Sequence, residues 1–127
     1  MVRSALAALA LAISAGASHA QSLTPVMARV EATGDMFQLR VKPRNTYSRR
    51  MRMEVKVYDA KFRPVRALVS PWRFGIAAGG TRDVRIMVPF NGRTKRKVRV
   101  CVEAMPYTDT NQQIRTQVCG RFIASRR

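Results

Sequence analysis

The chain has 127 residues, with 24 Lys and Arg against 7 Asp and Glu and a formal net charge of +17. That length holds one domain with its own core and leaves no room for two. The charge points to acidic partners (lipid headgroup phosphates, nucleic acid or acidic protein surfaces), while a single histidine and two cysteines leave little imidazole or thiolate chemistry.

Residues 1–20 read as a secretory leader. Arg3 gives a positive start, Ala5 to Ala15 is apolar, and Ser18-His19-Ala20 is a small-x-small cleavage site. The apolar run is shorter than the ~20 residues of a spanning helix. The expected mature chain starts near Gln21, carries no transmembrane segment and resides in the periplasm, where disulfides persist. Nucleic acid is not an expected partner there.

The mature sequence shows apolar residues at period two, the mark of half-buried strands. Pro25 to Thr33 places Val26, Ala28 and Val30 on one face. Asp35 to Lys42 alternates Phe37, Leu39 and Val41 with Gln38, Arg40 and Lys42. Arg52 to Asp59 does the same with Met53, Val55 and Val57. Arg66 to Val69 and Arg73 to Ile76 are short candidate strands. Ala78-Gly-Gly80 is a turn, followed by Arg82 to Val88 with Val84, Ile86 and Val88 inward. Pro89-Phe-Asn-Gly92 is a second turn. Val98 to Pro106 and Ile114 to Cys119 finish the set. About seven short one-faced strands predict an all-β fold, a single immunoglobulin-like sandwich over residues 21–127.

The last two runs each carry one cysteine. An antiparallel hairpin centred near Thr110 sets Cys101 opposite Cys119, Val102 opposite Val118 and Glu103 opposite Gln117. Opposed residues sit ~4.5–5.5 Å apart, within disulfide reach. Parity turns Val98, Val100 and Val102 inward. Cys101 then shares the outer face with Arg99 and Glu103, so the expected bond is a surface staple between neighbouring strands.

His19 leaves with the leader, which removes Ser-His and Cys-His pairs and histidine metal sites from the mature chain. The seven acids are singly spaced, and no phosphate-binding glycine loop or calcium loop occurs. The expectation is a non-enzyme without cofactor or metal.

Ser70-Pro-Trp-Arg-Phe-Gly-Ile-Ala-Ala-Gly-Gly-Thr-Arg-Asp-Val-Arg-Ile-Met-Val-Pro89 resembles a segment of the periplasmic pilus-assembly (PapD-like) chaperones, and Arg99-Val-Cys-Val-Glu-Ala-Met-Pro106 is similar to their next strand. The resemblance covers residues 64–123 and corresponds to the N-terminal domain of that family. One subgroup joins the last two strands of this domain by a disulfide, as Cys101 and Cys119 would. The resemblance implies strand addition, in which the last strand lends its edge to a pilin-like subunit. It makes Ile114, Thr116 and Val118 the donor positions. Arg29 and Arg121 become the basic pair for a subunit's terminal carboxylate, with Arg121 where the family has lysine. The alternative is a basic envelope protein that binds polyanions such as lipopolysaccharide through Arg49 to Arg52 and Arg93 to Lys97.

Overall fold

The computed structural model describes residues 22–107 and 115–127. The leader expected over residues 1–20 and the donor position Ile114 lie outside the described residues. Nine strands follow one another: β1 (Ser22–Thr24), β2 (Met27–Ala32), β3 (Met36–Arg44), β4 (Met51–Asp59), β5 (Leu68–Ser70), β6 (Arg73–Ile76), β7 (Val84–Pro89), β8 (Lys95–Pro106) and β9 (Thr116–Arg126). They form two sheets, ordered β1-β3-β7-β5 and β2-β9-β8-β4-β6. Among the described residues no helix is long and apolar enough to cross a membrane.

The alternation in the sequence builds the core directly. Phe37, Leu39 and Val41 of β3 pair with Val88, Ile86 and Val84 of β7, and all six are buried. The second sheet answers with Met53, Val55 and Val57 of β4 and with Val98, Val100, Val102 and Phe122 of β8 and β9. Each such side chain contributes about 1.5–3 kcal/mol by leaving water. The polar residues between them face outward, which is what holds the register.

One buried polar group organises the turn region. The Asn45 side chain is fully buried. Its amide nitrogen donates to the carbonyls of Arg49 (2.8 Å), Ile76 (3.0 Å) and Ala77 (3.2 Å). Its Oδ1 accepts the Tyr47 N–H at 3.0 Å. The connection after β3 is thereby tied to the end of β6. The turn glycines Gly79 and Gly92 take φ of 72° and 75°, the left-handed region that glycine enters without a Cβ clash.

Four expectations about elements need correction. The strand expected over Pro25 to Thr33 is β2, Met27–Ala32, which begins two residues late and is preceded by the unanticipated β1 in the other sheet. β1 pairs antiparallel with β3, and β2 pairs parallel with β9. The change of sheet falls at Pro25-Val26, where proline has no N–H for a ladder, and Val26 is 54% exposed rather than inward. The short strand expected over Arg66 to Val69 is displaced to Leu68–Ser70, because Val69 registers with Ile86 of β7. β8 begins at Lys95, three residues before the apolar alternation starts, because Lys95 to Lys97 pair with Ser125 to Ile123. β9 continues through Gly120 to Arg126 rather than stopping at Cys119.

Gly120 is buried inside β9 for a steric reason. A Cβ there would lie 2.8 Å from Phe122 Cε2 and 3.2 Å from the Val26 carbonyl oxygen. Glycine lets the β1–β2 connection approach the strand, a role that a breaker residue in a pattern does not reveal.

Candidate partner-binding edge and cationic cleft

The disulfide is present in the expected register. Cys101 pairs with Cys119, Val102 with Val118 and Glu103 with Gln117. The bond lies on the outer face, as parity requires, but it is not a surface bond at both ends: Cys101 is fully buried. Cys119 flanks it on one side and Lys56 of β4 on the other. Arg99 and Glu103 stand before and after it on the same face. Neighbours on a broad sheet cover a central position even on its outer side.

The backbone around the bond sets up an edge. Along β8, β9 is paired from Thr116 to Ser125. Along β2 it is paired only from Arg121 to Arg126. The Arg121 N–H donates to the Val26 carbonyl at 2.8 Å, so Arg121 points its backbone groups toward the β2 side. Strand alternation then sends the N–H and C=O of Gln117 and Cys119 the same way. The Cys101–Cys119 rung is therefore a non-hydrogen-bonded pair, and its Cα–Cα distance of 4.0 Å is the short one of that class. Among the described residues no strand lies against Gln117 to Gly120 on this side.

The side chains of the two described donor positions, Thr116 and Val118, turn inward. Val118 is half-buried and packs against the core. Thr116 Oγ1 is 2.9 Å from the Tyr47 hydroxyl. Both lie where β1, the edge strand of the facing sheet, is only three residues long. Val26 and the 70% exposed Met27 sit at the top of the open stretch.

Above that edge the outer face carries a lattice of cations. Arg29 of β2 and Lys97 of β8 flank Ile123 of β9 in one cross-strand row. In the next row Met27, Arg121, Arg99 and Tyr58 lie side by side. All of these except Tyr58 line a cavity of about 380 Å³ with Ala60 as one wall. Among the described residues none of the four cations makes an ion pair; the pairs that exist lie elsewhere. Arg99 faces Arg121 directly, an arrangement that costs stability in a ladder. Arg99 also lies over the Phe62 ring at 4.4 Å, and its Nη2 donates to the Ala60 carbonyl at 3.4 Å.

Phe62 holds that position at φ 58°, an outlier for a bulky residue. Asp59 shapes the turn: its Oδ1 accepts N–H bonds from Lys61 (2.8 Å) and Arg63 (3.0 Å), and its Oδ2 accepts from Arg63 Nε at 3.1 Å. These bonds, the Arg63 N–H first, hold the Asp59 carboxyl below the usual range. On the far side of the disulfide the carboxylates are engaged by cations. Glu103 lies 3.5 Å from Lys56 and 3.9 Å from Arg115, and Glu54 lies 3.4 Å from Arg73. The disulfide rung thus separates the ion pairs of Glu54 and Glu103 from the unpaired Arg29, Lys97, Arg99 and Arg121.

Of the residues expected to bind a partner, Arg29 and Arg121 come together in the cleft, Val118 lies on the open stretch and Thr116 stands just before it. Met27, Arg99, Phe62 and Ile123 were not anticipated, and Lys97 was expected only as part of the Arg93 to Lys97 polyanion cluster. The signal for Arg99 was available, since pairing 101 with 119 also pairs 99 with 121. The contribution of β2 required the parallel pairing to β9, which no spacing encodes.

Comparison with solved structures places this geometry. The Salmonella enterica SafB chaperone, solved with the SafA pilin, superposes with a TM-score of 0.68 at 18% identity, over 84% of this chain and 54% of its own. The chain folds as a PapD-like domain. The Escherichia coli chaperone DraB matches with a TM-score of 0.67 at 16% identity, again over 84% of this chain and 54% of that one. The PapD-like domain thus spans about half the length of the chaperones it matches. The PapD-like domain 7 of human CEP192 matches end to end, 99% against 98%, with a TM-score of 0.63 at 12% identity. No family model and no curated protein matches the sequence.

Proposed function

We propose that this PapD-like domain is an exported, non-enzymatic chaperone-like module that holds fimbrial or surface-protein subunits by strand addition in the periplasm. The observation that carries the reading is the open Gln117–Gly120 edge beside the cationic cleft, both on β9. A strand added there lies in line with β2, so its end abuts Met27 and Arg121. A terminal carboxylate in that place meets a guanidinium with no competing acid. The open amides supply affinity without regard to side chain, while the cleft fixes direction. The disulfide holds the edge strand in register from the side away from the incoming chain. The pilin seen with SafB is a partner of the proposed kind. Lipopolysaccharide draws no such support from the structural neighbours.

The test is Gln117→Pro. Proline there removes an outward N–H that the described fold does not use, and proline is tolerated at sheet edges. The variant is expected to keep its thermal midpoint while losing co-purification with periplasmic subunits. A variant that is folded and still captures the same subunits would end the strand-addition reading.

A further inference from the structure

The cleft holds more positive charge than one chain end can balance. Arg29, Lys97, Arg99 and Arg121 occupy two adjacent cross-strand rows. A single carboxylate at Arg121 leaves three of them unmatched. Lys97 and Arg99 lie on β8, across β9 from the open edge, so a terminal carboxylate in line with β2 does not reach both sides of the lattice. The basic surface also continues past Lys97 to Lys95, Arg93 and Lys61, where Asp59 is the acid present and is engaged by Arg63. Opposed arginines such as Arg99 and Arg121 are unfavourable in an empty ladder and become favourable when an anion lies between them.

Resting on the chain-end reading above, we infer that the occupant of this cleft is an acidic chain end: a terminal carboxylate accompanied by Asp or Glu side chains on its last two residues. Two further carboxylates reduce the uncompensated charge of the lattice from three to one. Their side chains extend across β9 toward Lys97 and Arg99 from a chain end that stops beside Arg121. Met27 and Ile123, between the cations, offer apolar contact to the stems of those acids. A phosphate-rich lipid surface is the rival occupant. It is disfavoured because the cations line a concave cleft walled by the 59–63 turn, which a flat bilayer does not enter.

The experiment measures fluorescence anisotropy of labelled ten-residue peptides that share one alternating apolar sequence. They end in Glu-Glu with free carboxylate, Gln-Gln with free carboxylate, or Gln-Gln amide. Vesicles containing phosphatidylglycerol form a fourth arm. The Glu-Glu peptide is expected to bind about fivefold tighter than the Gln-Gln acid at low salt, the effect of two partly exposed ion pairs. That preference should vanish in Lys97→Gln/Arg99→Gln, which should still prefer acid over amide. Equal binding of the two free acids overturns the inference and leaves the chain-end reading standing. Equal binding of acid and amide sinks both. Vesicle binding that is lost in the double variant, with no preference among peptides, replaces the acidic chain end by a phosphate surface.

Discussion

Reducing the Cys101–Cys119 bond should lower stability by an amount set by the length of chain it closes. The two residues are 18 apart in sequence. The chain-entropy relation for a loop of that size gives about 3 kcal/mol at 25 °C. For a domain of roughly 100 residues this corresponds to a fall in midpoint of about 12–15 °C. The assay is thermal and urea unfolding followed by circular dichroism, on oxidised protein and on protein held in reductant. Cys101→Ala/Cys119→Ala serves as a check on reductant effects. Because Cys101 is fully buried, the double variant also loses packing and should unfold at or slightly below the reduced protein. Reduction also frees the hairpin from its pinned rung, so peptide binding at the edge should weaken with stability. A loss below about 1 kcal/mol would refute the reasoning. It would mean that the ladder between β8 and β9 already restricts the denatured chain as much as the bond does.

Amide hydrogen exchange should separate the two sides of β9, with Gln117 and Cys119 exchanging quickly and Val118 and Gly120 protected; uniform protection would contradict the assigned edge. Gly120→Ala should cost about 1–3 kcal/mol by overpacking, since the Phe122 ring can move but the Val26 carbonyl cannot; urea unfolding measures it, and a neutral result would show that the close approach is not required. Asn45→Ala should cost about 2–4 kcal/mol, because three carbonyls lose their donor inside the fold. A thermal melt within a degree or two of the parent would disprove that account.

Much of the fold was legible because period-two alternation is a local property. Phe37-Leu39-Val41 and Val84-Ile86-Val88 each declare an inward face without reference to anything else in the chain. The cysteine register was legible for a related reason. A hairpin is the one long-range pairing whose register is set by nearby residues. It brought Arg99 opposite Arg121, although that consequence emerges only when the pairing is followed to its end.

What the sequence concealed is non-local. Pro25 and Val26 continue an alternating pattern, yet the chain changes sheets there, because which sheet claims a strand depends on the partner edges available in space. Gly120 reads as a stop and is a contact point. Cys101 reads as exposed by parity and is buried by its lateral neighbours.

From residue order alone came an all-β sandwich, its core-facing residues and the Cys101–Cys119 bond, since each rests on alternation or on the geometry of one hairpin. The tertiary structure alone decided that β2 covers just half of β9, so that Gln117 and Cys119 keep an open edge. It alone set Arg29 of β2 and Lys97 of β8 on either side of β9 in one cleft whose described lining holds no carboxylate. Parallel pairing of the first and last parts of a chain has no local signature, and that pairing builds the site.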